Sequence, residues 1–137
     1  MQHLTLTDEL YWLTLTLLLT ACLWIPYIVQ LIVQLGPVKA VWDPTGAHPH
    51  NAEWALRAKR AHYNAVENLV IFAPLTILVV FIGAGDELTN AAAAVFFFAR
   101  AAHYIIHLCA IPVIRTLVFL IGFGCQIVMA GRVLGWV

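Results

Sequence analysis

The sequence predicts an all-α integral membrane protein, a four-helix bundle in up-down topology. Three observations predict this class: the 137-residue chain is 63% hydrophobic, it is only 10% charged, and it contains four apolar runs separated by polar segments. A soluble domain of this size would need more polar surface to cover its core. Four spans with short loops use nearly all of the chain, so we expect a single domain over residues 1–137.

The apolar runs define the predicted spans, which cover residues 10–35, 57–82, 88–109 and 113–136. Each run is close to the ~20 helical residues that cross ~30 Å of hydrocarbon. We predict helices because an isolated strand would leave its backbone groups unpaired in lipid. Pro112 marks the break before the fourth run.

The distribution of charge predicts the orientation in the membrane. The charges of the N-terminal tail and the second loop are all acidic, whereas basic residues lie in or beside the first and third loops, at Lys39, Arg57, Lys59, Arg60 and Arg115. By the positive-inside rule, loops 36–56 and 110–113 face the cytoplasm and both termini lie outside. Seven basic residues balance seven acidic ones, so the net charge does not indicate a nucleic-acid partner.

Polar side chains form one stripe on the second span and another on the third. The first stripe has helical spacings of three, four and three, at Arg57, Arg60, Asn64 and Glu67. The second has spacings of three and four, at Arg100, His103 and His107. Because the second span runs outward and the third returns, the stripes are expected to meet at one depth, joined by Arg115.

These stripes predict a pocket with several cations and one carboxylate, Glu67. Such a pocket suits a ligand that bears carboxylates or phosphates. Burying ionisable groups in a membrane costs several kcal/mol, so they are usually functional or paired with one another. The structural alternative is that Glu67 neutralises Arg60 and Arg100 while Asn64 bridges two helices.

The histidines and cysteines of the sequence do not predict a metal site. His103 and His107 have the spacing of two ligands, with Glu67 as a candidate third, but the surrounding arginines would repel a cation. The cysteines lie in or beside apolar runs without CxxC spacing, so we expect small buried side chains at Cys22, Cys109 and Cys125.

The segment from Arg57 to Asn68, RAKRAHYNAVEN, strongly resembles the membrane-associated proteins in eicosanoid and glutathione metabolism, the MAPEG family, in its bacterial-type members. The family's Arg-Ala-x-x-Asn-x-x-Glu run opens the second span and is present from Arg60 to Glu67. The likeness continues through residues 99–103, His107 and the 112–116 turn, so it covers the second to fourth spans.

The resemblance implies a homotrimer that holds glutathione between subunits near the cytoplasmic face of a bacterial cytoplasmic membrane. It implies Arg115 as the catalytic residue, because a nearby guanidinium lowers a thiol pKa and makes the thiolate available. It also implies the glutathione contacts Lys39, Arg60, Tyr63, Asn64, Glu67, Arg100, His103, His107 and Thr116.

The activity that the resemblance implies is that of a glutathione S-transferase, a lipid hydroperoxide peroxidase, or both, with hydrophobic electrophiles or lipids taken from the bilayer. Three residues depart from the family pattern: Tyr63 replaces an arginine of some relatives, while His107 and Phe119 replace tyrosines. Because histidine side chains titrate near neutral pH, His107 would make the binding of glutathione depend on pH.

Two other functions remain as alternatives. A non-catalytic protein with the same fold would use the polar cluster structurally or to bind a lipid headgroup. A small transporter is disfavoured, because the cluster lies in one leaflet and the sequence has no broken, inverted-repeat helices at the midplane.

Overall fold

The computed structural model describes residues 6–137, and within them all regular secondary structure is helical. The helices are α1 (Asp8–Cys22), α2 (Ile25–Leu35), α3 (Pro37–Val41), α4 (Glu53–Phe81), α5 (Glu87–Leu108) and α6 (Pro112–Leu134). Four segments are long and apolar enough to cross a membrane: α1 with α2, then α4, α5 and α6. The predicted all-α class with four membrane-length helices is confirmed. The N-terminus, which the sequence places outside, lies beyond the described residues.

The first apolar run, predicted as one span, is divided into α1 and α2. The break falls at Leu23 and Trp24, where the Leu23 amide donates to the Thr20 carbonyl over 3.3 Å. Pro26, in the first turn of α2, has no amide hydrogen for the carbonyl of Cys22, and its ring displaces that carbonyl. The two helices still form one 28-residue candidate span, Asp8–Leu35.

A capping box begins α5 and ties it to α1. The Asp86 carboxylate accepts from the Thr89 amide over 3.0 Å, and the Thr89 hydroxyl accepts from the Asp86 amide over 2.7 Å. The same hydroxyl donates to the buried Glu9 carboxylate over 2.7 Å. This part of the bundle is called the acidic end below and is defined by Asp8, Glu9, Asp86 and Glu87.

The core lies where α1, α4, α5 and α6 meet. Phe72 of α4 stacks on Phe96 of α5, with ring centroids 3.7 Å apart. Their core cluster also contains Cys125, the one cysteine whose predicted burial is confirmed. Cys22 and Cys109 are exposed, so the prediction of burial was wrong for them. They lie on faces that the packing of one chain leaves uncovered.

Candidate functional site

A cavity of about 390 Å³ opens between α4, α5 and α6. The lining residues of α4 are four apart and so are those of α5, which places each pair on one face of its helix, and α6 contributes its first two turns. The lining consists of Arg60, Asn64, His103, His107, Arg115, Thr116 and Phe119. The two polar stripes therefore meet, and Arg115 joins them. This region is called the basic end below and is defined by Arg57, Arg60 and Arg115.

The charge of the cavity is positive. Arg60 and Arg115 line it, and its lining contains no carboxylate. The ion pairs within residues 6–137 are Arg57 with Glu53 and Arg132 with Asp86, so neither lining arginine is neutralised by them. A group that bears carboxylates would therefore be attracted to this cavity.

A second cavity, of about 520 Å³, lies at the acidic end. It is the larger of the two, but its charged lining is made of carboxylates: Asp8, Glu9, Asp86 and Glu87. Such a lining repels an anion. The smaller cavity at the basic end is therefore the candidate site for an anionic ligand.

His107 is oriented by Arg115. Arg115 Nη1 lies 3.4 Å from His107 Nε2, and because a guanidinium only donates, Nε2 is the acceptor. The proton of the neutral ring is then on Nδ1, which is buried without a hydrogen-bond partner in the described chain. This donor is therefore unsatisfied in the described chain.

Arg100 is buried next to the cavity, with 2% of its surface exposed. Its Nη1 donates to Asn64 Oδ1 over 3.4 Å, and its guanidinium lies 5.5 Å from the ring centroid of Phe96 and 5.6 Å from that of Phe119. Nε and Nη2 have no partner in the described chain. Since arginine stays charged and buried charges are costly when unpaired, this guanidinium adds unbalanced positive charge to the site.

Gly122 of α6 makes room for Arg100. A Cβ placed on Gly122 would lie 2.6 Å from Arg100 Nη2, closer than van der Waals contact allows. Gly122 was not predicted as a site residue. Its spacing of seven residues from Arg115 places both on one face of α6, and that is the signal that indicates it.

Four predicted site residues do not line the cavity of a single chain, and one of them is Arg100, which is buried beside it. Lys39 lies on α3 beside a different, largely apolar cavity formed with Gly36 and Trp42. Tyr63 is exposed, with the Lys59 ammonium 5.9 Å from its ring centroid. Glu67 is also exposed and takes part in neither of the ion pairs within residues 6–137.

Two buried polar residues were missed by the sequence analysis. Asn68 Nδ2 donates to the Asn64 carbonyl over 2.8 Å, and Gln126 Nε2 donates to Asn68 Oδ1 over 3.2 Å. Gln126 is the only amide side chain in the fourth apolar run, and Asn68 lies one helical turn after Asn64. A polar residue isolated in an apolar run is the signal that indicates such a contact.

The geometry of the histidines does not form a metal site with Glu67. The rings of His103 and His107 are nearly perpendicular, with centroids 5.6 Å apart. In the described part of the chain, no three His, Cys, Asp or Glu side chains are placed to hold a metal ion.

The loop between α3 and α4 is ordered by its own polar contacts. Asp43 accepts hydrogen bonds from the His48 amide, over 3.0 Å, and from Thr45. These bonds, the one from His48 above all, hold the pKa of the Asp43 carboxyl at about 2. His50 lies 2.7 Å from Gln30 Oε1, and its burial together with the nearby Lys59 lowers its pKa.

The fold and the cavity define a helical membrane protein with a cationic site at one end of its bundle. A model of the MAPEG family matches residues 10–135, and the chain belongs to that family. The resemblance found in the sequence is thus confirmed, and with its four apolar helices the chain is a multi-pass membrane protein. Neither the curated proteins nor the solved structures give a match. The family generally uses glutathione and contains transferases and peroxidases as well as non-catalytic members.

Proposed function

We propose that this protein is a glutathione-dependent membrane enzyme. It joins the glutathione thiolate to hydrophobic electrophiles, reduces lipid hydroperoxides, or does both, and takes its second substrate from the bilayer. The observation that carries the proposal is a cavity with two arginines and no carboxylate in its lining, beside a buried arginine that has two unpartnered nitrogens. Membership of a family that generally uses glutathione supports it.

Glutathione fits this cavity by charge and by hydrogen-bonding capacity. Its two carboxylates are matched by Arg60 in the lining and by Arg100 buried beside it, and its peptide groups by Asn64 and the two histidines. Thr116, which also lines the cavity, offers its hydroxyl.

Arg115 is the proposed catalytic residue. Its guanidinium stabilises the thiolate of bound glutathione, which lowers the thiol pKa and supplies the nucleophile at neutral pH. In the transferase reaction, the sulfur attacks an electrophilic carbon, a C–S bond forms, and the leaving group departs with its electron pair. In the peroxidase reaction, two glutathione molecules are oxidised to the disulfide while a hydroperoxide is reduced to an alcohol and water.

The proposed assembly is a homotrimer with the site at the interface between copies. Arg60, Tyr63 and Glu67 are exposed on α4 of a single chain, although α4 is a candidate membrane span. Charged side chains facing lipid are costly, so a neighbouring copy is expected to cover them. In that assembly Glu67 accepts from the glutathione ammonium, and Lys39 and Tyr63 approach the ligand from α3 and α4.

The proposed arrangement in the membrane is a single domain with four spans in up-down order. The basic end then faces the cytoplasm, with loops 36–56 and 110–113, and both termini lie outside. Arg132, near the outer end of the fourth span, is the one charge that argues the other way, and it is paired with Asp86. A bacterial cytoplasmic membrane is the proposed location.

The proposal is tested by turnover in lipid nanodiscs with glutathione and a chromogenic aryl electrophile. Arg115→Ala is expected to lower kcat/KM by about 100-fold, since a lost charge-assisted interaction costs roughly 1.5–3 kcal/mol and the thiolate population also falls. The matched control is Arg132→Ala, which removes an arginine from the acidic end. No turnover by the wild-type protein with any electrophile or hydroperoxide tested would refute the enzymatic proposal.

A second candidate function is a non-catalytic member that binds a lipid headgroup in the same cavity. The observation in its favour is Phe119, which lines the cavity without a hydroxyl to donate to a thiolate. In this case glutathione would leave the thermal stability unchanged, whereas Glu67→Gln would weaken assembly of the oligomer. Anionic lipid in the nanodisc would then raise the melting temperature.

A further inference from the structure

We propose that Asn68 and Gln126 are positioning residues that fix the orientation of the Asn64 side-chain amide. Asn64 Oδ1 is held towards Asn68 and Arg100, so that Asn64 Nδ2, a hydrogen-bond donor, faces the cavity. This inference rests on the proposed function, because it specifies what part of glutathione Asn64 contacts.

The three amide residues form a continuous hydrogen-bonded chain between α4 and α6. Gln126 Nε2 donates to Asn68 Oδ1 and to the Asn68 carbonyl, over 3.2 Å each. Asn68 Nδ2 in turn donates to the Asn64 carbonyl over 2.8 Å and to Asn64 Oδ1 over 3.4 Å. Arg100 Nη1 is a second donor to Asn64 Oδ1, over 3.4 Å.

The direction of this chain follows from which atoms donate. If the Asn68 amide were rotated by half a turn, its NH₂ group would face the NH₂ group of Gln126. Its oxygen would then face the Asn64 carbonyl, and both contacts would be repulsive. The Asn64 carbonyl and Gln126 together therefore set the orientation of Asn68, and Asn68 together with Arg100 sets that of the Asn64 side chain.

Burial makes this orientation costly to change. Asn68 is 7% exposed and Gln126 is 5% exposed, and their helix neighbours Phe72 and Cys125 belong to the hydrophobic core. A buried amide that loses its partner keeps the full cost of desolvation, because no water at that depth replaces the bond. The chain is therefore expected to keep one arrangement with and without ligand.

The consequence concerns the part of the ligand that Asn64 recognises. With Oδ1 occupied by two donors, the group of Asn64 left for the cavity is Nδ2, which donates. Arg60 and Arg115 also only donate, so these three lining residues favour a carboxylate or a peptide carbonyl at this position. They disfavour the ammonium group.

The test compares Gln126→Met and Asn68→Leu, which keep approximate volume but remove the bonds, with Thr76→Val. Thr76 is a matched control because it is buried on α4 and, among the described residues, its hydroxyl donates to the Phe72 carbonyl alone. Both network variants are expected to raise the Kd and KM for glutathione by about 5- to 10-fold, the effect of one hydrogen bond, with kcat little changed. Thr76→Val leaves the Kd unchanged, and equal effects of all three variants would overturn the inference.

A positioning role also requires that the effect pass through Asn64. In an Asn64→Ala background, Gln126→Met is expected to cause no further loss of glutathione affinity. Additive losses would contradict the inference. Asn64→Asp replaces the Nδ2 donor by an oxygen and is expected to weaken glutathione binding at least as much as Asn64→Ala. This test does not require the Asn68 and Gln126 variants to fold.

The failure of this inference is distinguishable from the failure of the proposed function. If the wild-type protein does not bind glutathione, the proposed function fails, and the network is then followed by NMR of protein labelled with ¹⁵N-asparagine. The side-chain NH₂ signal of Asn64, assigned by its loss in Asn64→Ala, is expected to shift in Gln126→Met and not in Thr76→Val. An unmoved signal would overturn the positioning role.

Discussion

The Arg100 guanidinium occupies the space where a side chain of Gly122 would begin, so that α5 and α6 pack with a charged group between them. A Cβ at Gly122 would lie 2.6 Å from Arg100 Nη2. Because Arg100 is 2% exposed, its charge is held inside the bundle and is not directed to lipid. Because Gly122 has no side chain, the Arg100 guanidinium has room beside the cavity.

Gly122→Ala is expected to lower the free energy of unfolding by about 1–3 kcal/mol, the usual cost of adding a methyl group where there is no space. It is also expected to weaken glutathione binding, because the guanidinium must move. Thermal unfolding in detergent measures the first effect and calorimetry the second. Gly124→Ala is the matched control, since a Cβ there meets no atom of the described chain within 4 Å. Equal effects of the two variants would show that Gly122 has no special relation to Arg100.

Arg100→Met is expected to leave the stability of the ligand-free protein unchanged or raised, while it removes the stabilisation by glutathione. The Arg100 guanidinium has no ion-pair partner within residues 6–137. Its removal therefore leaves no carboxylate of the described chain without a partner. Melting temperature is measured with and without glutathione, whose stabilising effect grows with the ratio of its concentration to Kd. A strong loss of stability without ligand would contradict this expectation and show that the contacts of Arg100 with Asn64, Phe96 and Phe119 stabilise the bundle.

Thr89→Val is expected to destabilise the acidic end by about 1–3 kcal/mol, because the buried Glu9 carboxylate loses the hydroxyl that donates to it. The change also removes one half of the α5 capping box. Thermal unfolding measures the effect. Thr14→Val, which removes an exposed hydroxyl bonded to the Leu10 carbonyl, is expected to have little effect. Glutathione affinity should be unchanged in both variants.

Asp86→Asn is expected to lower the melting temperature at pH 7 but not in acid. The Thr89 amide, followed by the Arg132 guanidinium, lowers the pKa of the Asp86 carboxyl in the folded protein. A lowered folded pKa gives stability that is present above the unfolded pKa, about 3.9, and is lost as pH falls through the folded pKa. The difference between wild type and variant should therefore shrink below about pH 4. A difference that stays constant with pH would contradict the ionic role.

Much of the fold follows from the sequence because its strongest determinant is local. Apolar runs of membrane length must be helical in lipid, and helical spacing then places Arg60 with Asn64 and His103 with His107. The break between α1 and α2 was also encoded locally, by Pro26. It was missed because hydrophobicity continues across the proline.

The remaining features depend on which helix faces meet, and periodicity within one helix does not determine that. The contact of Arg100 with Gly122 requires α5 and α6 to pack on specific faces, as does the bond from Gln126 to Asn68 between α6 and α4. Glu67 is exposed and lies outside the cavity lining, so its place in the site rests on the proposed trimer.

Calorimetric titration of glutathione into the purified protein tests the central claim, that the cavity at the basic end binds this anionic tripeptide. The account predicts a saturable heat that Arg115→Ala weakens at least tenfold and that Arg132→Ala leaves unchanged. An absence of binding heat and of any thermal shift in the wild-type protein, or equal affinities in all three proteins, would contradict it.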